Sequence, residues 1–377
     1  MPEPAPIIPP VTFEGDFALP ARFPLEAGGV LGNASLHYVL YGSINAARDN
    51  VVFVCHALSG SAQVAEWWPA IFSPEGPITP GSAILGVNIL GSCYGSTGPT
   101  SLDPATGKPY AATFPLVSIR DIVRAEALLL DHLQIPQLRL AIGASIGGMQ
   151  VLELAIQFPE RVAKGIIIGV ATLGAMGLGW NHLQRQAILL DPDFKEGNYL
   201  PSEPPHRGLA HARALAVCTY KSTELFDERF ARNPNRTGPS PYTDAPYADA
   251  PKPRFDIAGY LDHQGLKFNR RFDANSYLAI TRFMDLFDPL RNNPDAYTRI
   301  QAELTFIGIS SDLLFPPADV AALAASISAA GARCHYRELL SNHGHDAFLA
   351  EPRQLLTLLR STTTQPPQTE LKNSEAR

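Results

Sequence analysis

The residues most able to do chemistry surround Ser145, which stands in the sequence Gly-Ala-Ser-Ile-Gly at positions 143–147. An apolar run at 138–142 precedes this sequence, and a helical pattern at 148–158 follows it. A serine held on a sharp turn from strand to helix leaves no room for side chains two positions away, which accounts for the two glycines. The pattern therefore predicts a nucleophilic serine on a nucleophile elbow, the alternative being a chance occurrence of Gly-X-Ser-X-Gly.

A serine nucleophile needs a histidine base and an acid that orients the histidine. When the serine stands on such an elbow, the acid and then the histidine follow it along the chain. Asp312 comes after the apolar run 304–309, and His345 comes after a strand pattern around Tyr336. Both lie just past the carboxyl ends of predicted strands, where open α/β sheets place their sites. We therefore expect Asp312 and His345 to complete a triad with Ser145.

Alternatives stay open for both of these partners. Asp312 also has the sequence context of a helix N-cap or a turn residue. His343 competes with His345 for the role of base, and the run His-Gly-His-Asp at 343–346 suggests a metal site as well. No third and fourth ligand cluster accompanies that run, so the sequence predicts no bound metal.

Acyl transfer through a serine also needs two backbone N–H groups aimed at the developing oxyanion. The residue after the nucleophile, Ile146, supplies one of them. The second is expected from the loop at 56–61, whose small residues allow a close approach of the backbone. Within that loop we assign the role to Leu58, the alternative being that the loop is an ordinary turn between strand and helix.

These residues must be positioned by strands and helices that alternate along the chain. Continuous apolar runs are typical of strands buried on both faces, and helical patterns separate several of them. Ser118 is placed as the N-cap of the first helix, Pro159 ends the second and Gly331 ends the third. The alternation predicts an α/β fold with a mostly parallel sheet and helices on both faces. The strand runs are 51–55, 83–90, 138–142, 165–171, 304–309 and 333–338, the helical patterns are 119–133, 148–158 and 317–330, and an antiparallel strand pair is expected within 13–41.

The alternation breaks after residue 172, where helical or irregular sequence begins. The middle of this insertion, 233–253, is rich in Pro, Gly and Asn and has no core-forming period. Strand patterns resume only at Leu304, which indicates that the insertion is a mostly helical cap on the sheet. The predicted boundaries are a core domain of 13–172 and 296–360, a helical cap (lid) of 173–295, and extended or disordered tails of 1–12 and 361–377.

The composition excludes several classes of protein. The chain has 377 residues, of which 45% are hydrophobic, so it is long enough to bury a large core. Its net charge of -6 and the lack of a Lys/Arg run argue against a nucleic-acid-binding protein. Neither a membrane-spanning stretch nor a signal sequence is recognisable, which predicts a soluble, unexported protein. The four cysteines lack disulfide or metal spacing, as is typical of the reducing cytoplasm.

Taken together, these segments resemble the homoserine O-acetyltransferase family of the α/β-hydrolase fold. The resemblance follows the family order and covers most of the chain from 50 to 350. The tract 260–277 is the most discriminating part, because it lies in the predicted cap and has no role that hydrolases share in general. The segments that carry the resemblance are 56–58, 88–99, 143–150, 181–192, 260–278, 311–317 and 344–349.

The resemblance implies an activity and a role for each matching residue. The implied reaction moves the acetyl group of acetyl-CoA to the hydroxyl of L-homoserine by a ping-pong mechanism, in methionine biosynthesis, with acetyl-CoA as co-substrate and no cofactor. A zwitterionic acceptor needs an anion-binding fork and a carboxylate beside its ammonium group. A homodimer formed through the cap is also implied. The implied roles are Ser145, Asp312 and His345 as catalytic triad, Leu58 and Ile146 as oxyanion donors, and Arg213, Tyr220 and Asp346 as substrate-binding residues.

The sequence leaves several alternatives to this interpretation. Lys221 stands where the family frequently has Arg, and Ile146 stands where Met or Leu is usual, which leaves a succinyl donor or a serine acceptor possible. An esterase with the same triad and a catalytically inactive hydrolase-fold binding protein are the other functional alternatives. Without the resemblance, Arg213 would be read as a solvated or salt-bridging arginine. Basic residues able to contact the phosphates of CoA, or else to form a solvated surface, are Lys221, Lys267, Arg270 and Arg271.

Overall fold

The computed structural model describes residues 6–236, 241 and 255–364. Ten strands lie in this part of the chain, and eight of them form one sheet. In chain order the strands are β1 (Val11–Ala18), β2 (Arg22–Pro24), β3 (Val30–Gly32), β4 (Ser35–Tyr41), β5 (Val51–Cys55), β6 (Ala83–Val87), β7 (Leu140–Ala144), β8 (Lys164–Ile168), β9 (Glu303–Ile309) and β10 (Cys334–Leu339).

The large sheet has the strand order β1-β4-β6-β5-β7-β8-β9-β10. Strands β1 and β4 form the antiparallel pair expected within 13–41, and β4 also runs antiparallel to β6. All pairings from β6 to β10 are parallel, which confirms the mostly parallel sheet. The parallel strands β5 to β7 are buried at every position, as continuous apolar runs predict.

The helices confirm the three helical patterns read from the sequence. The first of these, α2, begins after Ser118, whose hydroxyl accepts the Asp121 N–H while the Asp121 carboxylate accepts the Ser118 N–H, a capping box. In chain order the helices are α1 (Val64–Trp67), α2 (Ile119–His132), α3 (Ile146–Gln157), α4 (Ala175–Leu189), α5 (His206–Tyr220), α6 (Thr223–Arg229), α7 (Asp256–Asn269), α8 (Ala274–Asp285), α9 (Pro317–Ala329), α10 (Ala347–Ala350) and α11 (Pro352–Thr364).

Two hydrophobic clusters lie on opposite faces of the sheet. In β5, Val51, Phe53 and Cys55 belong to one cluster, and the alternate residues Val52 and Val54 belong to the other. Helices α2, α3 and α9 contribute buried side chains to the first cluster, whereas α1, α10 and α11 contribute to the second. The prediction of helices on both faces is therefore confirmed.

Helices α4 to α8, called the cap helices below, lie between β8 and β9 in the chain. Helix α5 packs against both α4 and α7. Their buried residues Leu209, Phe268 and Tyr277 join the cluster on the first face of the sheet, so the cap helices share a core with the sheet. Most of the stretch 233–253, which the sequence reads as irregular, lies outside the described residues.

At both ends of the described chain, regular structure extends into the predicted tails. Strand β1 begins at Val11, and α11 continues to Thr364, past the expected end of the core at 360. Leu355 and Leu359 are buried against the second face of the sheet, and this apolar contact explains why α11 forms. Residues 365–377 lie outside the described part. No helix in the described part is long and apolar enough to cross a membrane.

Candidate active site

Ser145 stands between the end of β7 and the start of α3 in a strained backbone conformation. Its φ is 56° and its ψ is -132°, values that few residues other than glycine adopt. A Cβ atom on Gly143 would lie 2.4 Å from the Gly147 carbonyl carbon, and one on Gly147 would lie 2.2 Å from the Cys55 carbonyl oxygen. The two glycines therefore allow the tight strand-to-helix turn that the spacing predicts.

Asp312 and His345 meet across the ends of β9 and β10. The His345 Nδ1 lies 2.6 Å from the Asp312 Oδ2, and both residues are buried. The other carboxylate oxygen, Oδ1, accepts the backbone N–H groups of Leu314 at 2.8 Å and Phe315 at 2.9 Å. Asp312 therefore holds its own turn, as one alternative expected, and also orients the histidine.

The environment of His345 favours a base with its Nε2 available. Burial lowers the pKa of His345, but the charge of Asp312, the hydrogen bond to it and the charge of Asp346 outweigh burial, and the net pKa is raised. Since Nδ1 faces Asp312, Nε2 is the nitrogen left to accept a proton. This Nε2 is buried and has no hydrogen-bond partner among the residues that the structure describes. The rings of Phe315 and Tyr220 both contact the imidazole, with centroids 5.4 Å and 5.8 Å away.

His343 occupies a different environment. Its Nδ1 lies 3.2 Å from the Glu351 Oε1 and 3.3 Å from the Ser341 Oγ. Asp312 is not among its hydrogen-bond partners in the described chain, so the geometry favours His345 as the base. Within the described ranges, no cluster of three or more His, Cys, Asp or Glu side chains is arranged to hold a metal ion.

The two predicted oxyanion donors lie on segments that meet where α3 begins against the end of β5, since a Cβ on Gly147 would lie 2.2 Å from the Cys55 carbonyl oxygen. The N–H groups of Leu58 and Ile146 donate no hydrogen bond to another described residue. The loop that carries Leu58 is held by the buried His56, whose Nδ1 lies 2.7 Å from the Ala57 carbonyl and whose Nε2 accepts the Ile89 N–H at 3.2 Å. Burial lowers the pKa of His56 to about 4, although the bond to Ala57 opposes this, so the ring is neutral near pH 7.

One cavity of about 260 Å³ joins the sheet side of the site to the cap helices. It contains every predicted site residue except Asp312, which lies behind His345, and the buried Ile146. The residues that line it are Ala57, Leu58, Ser59, Gly60, Trp67, Ser145, His345, Asp346, Phe348 and Leu349 from the sheet side, and Arg213, Tyr220 and Arg271 from the cap helices and their connections.

Arg213 is held by aromatic rings. Its guanidinium carbon lies 5.1 Å from the ring centroid of Phe268 and 5.6 Å from that of Tyr220. It forms no salt bridge with any residue that the structure describes, so the salt-bridging alternative is not observed there. Burial raises the pKa of Tyr220, whose hydroxyl contacts that of Tyr277. The half-buried guanidinium is therefore available to an anion in the cavity.

Asp346 already has a cationic partner in this structure. The Lys221 Nζ lies 2.9 Å from its Oδ2, while its Oδ1 has no hydrogen-bond partner in the described chain. The Ser222 hydroxyl donates a short hydrogen bond to the Asn342 carbonyl beside this pair. Lys221 is therefore paired with Asp346 rather than part of a solvated surface, and its contact with a CoA phosphate stays a prediction.

Two further residues line the cavity, of which the sequence left Trp67 without a role and offered Arg271 only as a contact for CoA phosphates or as part of a solvated surface. Trp67 donates its indole N–H to the Ser61 carbonyl at 2.8 Å. Trp67 belongs to none of the motifs identified in the sequence. Arg271 donates to the Ser59 carbonyl and to the Tyr94 hydroxyl, both at 2.8 Å. Arg271 lies in the discriminating tract 260–277, which was the available signal, although its partner could not be read from the sequence.

Comparison with known proteins finds relatives of similar length. A family model for the α/β hydrolase fold matches residues 50–352. A homoserine O-acetyltransferase of Moorella thermoacetica is 41% identical over 354 residues, covering 89% of this chain and 92% of that protein. A homoserine O-succinyltransferase of Bordetella pertussis is 38% identical over 371 residues, covering 94% of this chain and 88% of that protein. A solved homoserine O-acetyltransferase from Bacillus anthracis has the same fold, with a TM-score of 0.84 at 22% identity over 94% of this chain and 98% of that chain.

Proposed function

Because the chain belongs to the homoserine O-acetyltransferase family of the α/β-hydrolase fold, we propose that it transfers the acetyl group of acetyl-CoA to the hydroxyl of L-homoserine. The observation that carries the proposal is the composition of one cavity. A serine on an elbow, a buried histidine held by an aspartate, and an arginine without an ion-pair partner in the described chain all lie at its walls. The first two groups suit acyl transfer, and the third suits an acceptor that carries a carboxylate.

The first half-reaction forms an acetyl-serine. Ser145 Oγ attacks the carbonyl carbon of the thioester while His345 Nε2 takes the hydroxyl proton. The carbonyl oxygen becomes negative and accepts the N–H groups of Leu58 and Ile146. When the intermediate collapses, the C–S bond breaks, and the proton on His345 goes to the leaving thiolate of CoA.

The second half-reaction regenerates the serine. The homoserine hydroxyl gives its proton to His345 Nε2 and attacks the acetyl carbon, and the same two N–H groups bind the oxyanion. The bond to Ser145 Oγ then breaks, the serine regains the proton from His345, and O-acetyl-L-homoserine leaves. Arg213 binds the carboxylate of homoserine, and the Oδ1 of Asp346, which has no partner among the described residues, accepts its ammonium group. Tyr220 lines the space between them.

A second candidate is the same reaction with a succinyl donor. The similarity to a homoserine O-succinyltransferase at 38% identity favours it, since the two activities occur among relatives of nearly equal similarity. The cavity residues that bind the acceptor serve both reactions. The difference must therefore lie in the space available to the acyl group.

A matrix of substrates tests the proposal. Purified protein is mixed with acetyl-CoA or succinyl-CoA, each with homoserine, serine or buffer alone, and thiol release is followed. We expect fast release only with acetyl-CoA and homoserine, together with an acetyl adduct on Ser145 when acetyl-CoA is added alone. Thiol release that is equally fast without any acceptor would identify a hydrolase instead. Release that needs succinyl-CoA would establish the second candidate.

We further propose that the protein forms a homodimer through the cap helices. Leucines on α4 and after it are exposed, with 53% exposure at Leu183, 46% at Leu189 and 77% at Leu190. Leu189 and Leu190 line a cavity of about 880 Å³ that α4 and α8 share. Exposed apolar side chains grouped on one region of a surface are typical of an interface. Light scattering should give a dimer mass at micromolar concentration, and a monomer mass would refute the proposal.

A substitution that introduces a charge on this surface gives a more specific test of the dimer. We expect Leu183→Glu to give a monomer, because it would bury an unpaired carboxylate in the interface. Leu266→Glu on α7 is the matched control, since Leu266 is 60% exposed on another cap helix. If both variants remain dimeric, the interface lies elsewhere.

The reaction proposed here uses acetyl-CoA as a co-substrate and needs no metal or other cofactor. Acyl transfer through a serine is complete with the triad and the oxyanion donors. We also propose that the enzyme works in the cytoplasm, in line with its four free cysteines. Dialysis against a chelator should leave the rate of acetyl transfer unchanged.

A further inference from the structure

The loop at 56–61, called the oxyanion loop here, is held through three alternate carbonyl groups. The Ala57 carbonyl contacts the His56 Nδ1 at 2.7 Å and accepts the Gly60 N–H at 2.9 Å. The Ser61 carbonyl accepts the indole N–H of Trp67 at 2.8 Å. These partners all come from the same short stretch of chain. The Ser59 carbonyl differs, because its donor is Arg271, which is 212 positions away and follows α7 of the cap helices.

The side chain of Arg271 is exposed, but several contacts hold it in place. The same Nη1 donates to the Tyr94 hydroxyl at 2.8 Å, and the guanidinium carbon lies 5.2 Å from the ring centroid of Phe268. The buried rings of Phe268 and Phe272 stack with centroids 4.8 Å apart. The neighbouring Arg270 is also exposed, yet its side chain makes no hydrogen bond or ion pair with another described residue.

Peptide geometry links these contacts to the direction of the Leu58 N–H. The Ala57 carbonyl and the Leu58 N–H belong to one planar peptide unit, so a fixed carbonyl on one side fixes the donor on the other. The Ser59 carbonyl and the Gly60 N–H likewise belong to one peptide unit, so Arg271 holds the far side of the unit whose N–H bonds to the Ala57 carbonyl. A displaced oxyanion donor loses much of its effect, because its value depends on aim at the developing charge.

We propose that Arg271 is a positioning residue for the oxyanion hole, which holds the Ser59 carbonyl from the cap side and thereby keeps the Leu58 N–H aimed at the acyl oxygen. This inference rests on the proposed acyl-transfer function and adds a residue to it. Because the oxyanion hole serves every acyl donor, the contribution of Arg271 does not depend on the CoA part of the donor. A contact between Arg271 and a CoA phosphate would behave differently, since it would matter for acetyl-CoA alone.

The test compares two acetyl donors in Arg271→Gln, Arg271→Lys and the control Arg270→Gln. Acylation is measured with acetyl-CoA and with p-nitrophenyl acetate, which has no phosphate, and rates are normalised to titrated active sites. We expect Arg271→Gln to lower kcat/KM about tenfold for both donors and to leave the KM for homoserine unchanged. Arg271→Lys should be intermediate, because a single ammonium group cannot reproduce the seating of the guanidinium over the ring. Arg270→Gln should stay within about twofold of wild type.

The remaining outcomes contradict the inference. A loss confined to acetyl-CoA would show that Arg271 binds the CoA phosphates. Equal rates per active site in Arg271→Gln and wild type would show that the contact only stabilises the fold. The ester measurement needs only the triad and the oxyanion donors, so it reports on Arg271 even if the acceptor proves to be something other than homoserine. Failure of the proposed function would instead appear in the wild-type enzyme.

Discussion

The sheet side and the cap side of the cavity hold their functional groups in different ways. On the sheet side, Ser145 and His345 are 5% and 4% exposed. The backbone N–H of Ser145 donates to the Ile168 carbonyl at 2.9 Å, and His345 is held by Asp312. On the cap side, Arg213 is half-buried and is positioned by aromatic rings alone among the described residues.

The difference separates chemistry from recognition. Groups that must meet within tenths of an ångström in both half-reactions lie on strand ends, where hydrogen bonds and backbone geometry leave little freedom. Of the groups proposed to select the acceptor, Arg213 and Tyr220 lie on α5, inserted between β8 and β9, whereas Asp346 lies beside the base. We therefore expect variants of the triad to affect every substrate equally, and variants of Arg213 to affect the acceptor.

The largest effect is expected at the nucleophile. Ser145→Ala should lower the rate of thiol release by at least about 10⁴-fold with any acceptor, because no neighbouring group can replace the hydroxyl. Mass spectrometry after mixing with acetyl-CoA alone should find no covalent adduct. An acetyl group on another residue, or a rate near that of wild type, would show that the triad is misassigned.

The next largest effect should come from the acid that orients the base. Asp312→Asn should slow both half-reactions by about 10³- to 10⁴-fold, because the amide favours the wrong imidazole tautomer. Asp312 also raises the pKa of His345, so its loss lets burial lower that pKa. His345 must be neutral to accept a proton, and the acid limb of the rate profile should therefore move to lower pH. The exposed Asp319→Asn serves as control, and an unshifted limb would contradict the assignment.

A cap-side change should separate the two half-reactions. Arg213→Lys should lower kcat/KM for homoserine about a hundredfold, since a point charge cannot replace a bidentate fork and the hydroxyl is displaced from the acyl-serine. Formation of the acyl-enzyme from acetyl-CoA should stay within about twofold of wild type. The exposed Arg207→Lys on the same helix is the matched control. If the variant slowed acylation and acceptor turnover equally, Arg213 would act in the acyl-transfer chemistry rather than in binding the acceptor.

A smaller effect is expected at Lys221, on both the KM for homoserine and the pH profile of the rate. Lys221→Met should raise the KM for homoserine about five- to tenfold, because Asp346 loses the contact that fixes its Oδ2. Asp346 raises the pKa of His345, and without the nearby ammonium this influence grows, so the acid limb should move to higher pH. Lys221→Arg keeps the charge and should stay close to wild type. A shift in the same direction as Asp312→Asn would contradict the pairing.

The sequence was informative where chemistry depends on local backbone or on chain order. Gly143 and Gly147 predict the elbow because the tight turn excludes a side chain at both positions. That requirement involves only five consecutive residues. The apolar runs predict the parallel strands, and Asp312 and His345 follow from their positions after those strands. Ser118 predicts the start of α2 through contacts that are also local.

Contacts between distant parts of the chain were not predictable in this way. Lys221 and Asp346 form an ion pair although they are more than a hundred positions apart in the chain. The residues around each of them are typical of a protein surface and do not indicate the pairing. Arg271 reaches Ser59 over 212 positions. The short helix α1, which brings Trp67 to the oxyanion loop, has only four residues and so offers no helical period to read.

The contacts between the end of α5 and the histidine loop have a consequence for local unfolding. Lys221 pairs with Asp346, Ser222 bonds to the Asn342 carbonyl, and a Cβ on Gly344 would lie 2.6 Å from the Tyr220 carbonyl. Segments joined so closely open as one cooperative unit, and their amides exchange hydrogen with similar free energies. We therefore expect the last turn of α5 and the loop that carries His345 to lose protection together. A fluctuation that opens this part of the cap would admit water to the cavity. It would also displace His345, the base that could activate the water. We therefore expect the acyl-enzyme to resist hydrolysis while the cavity is open.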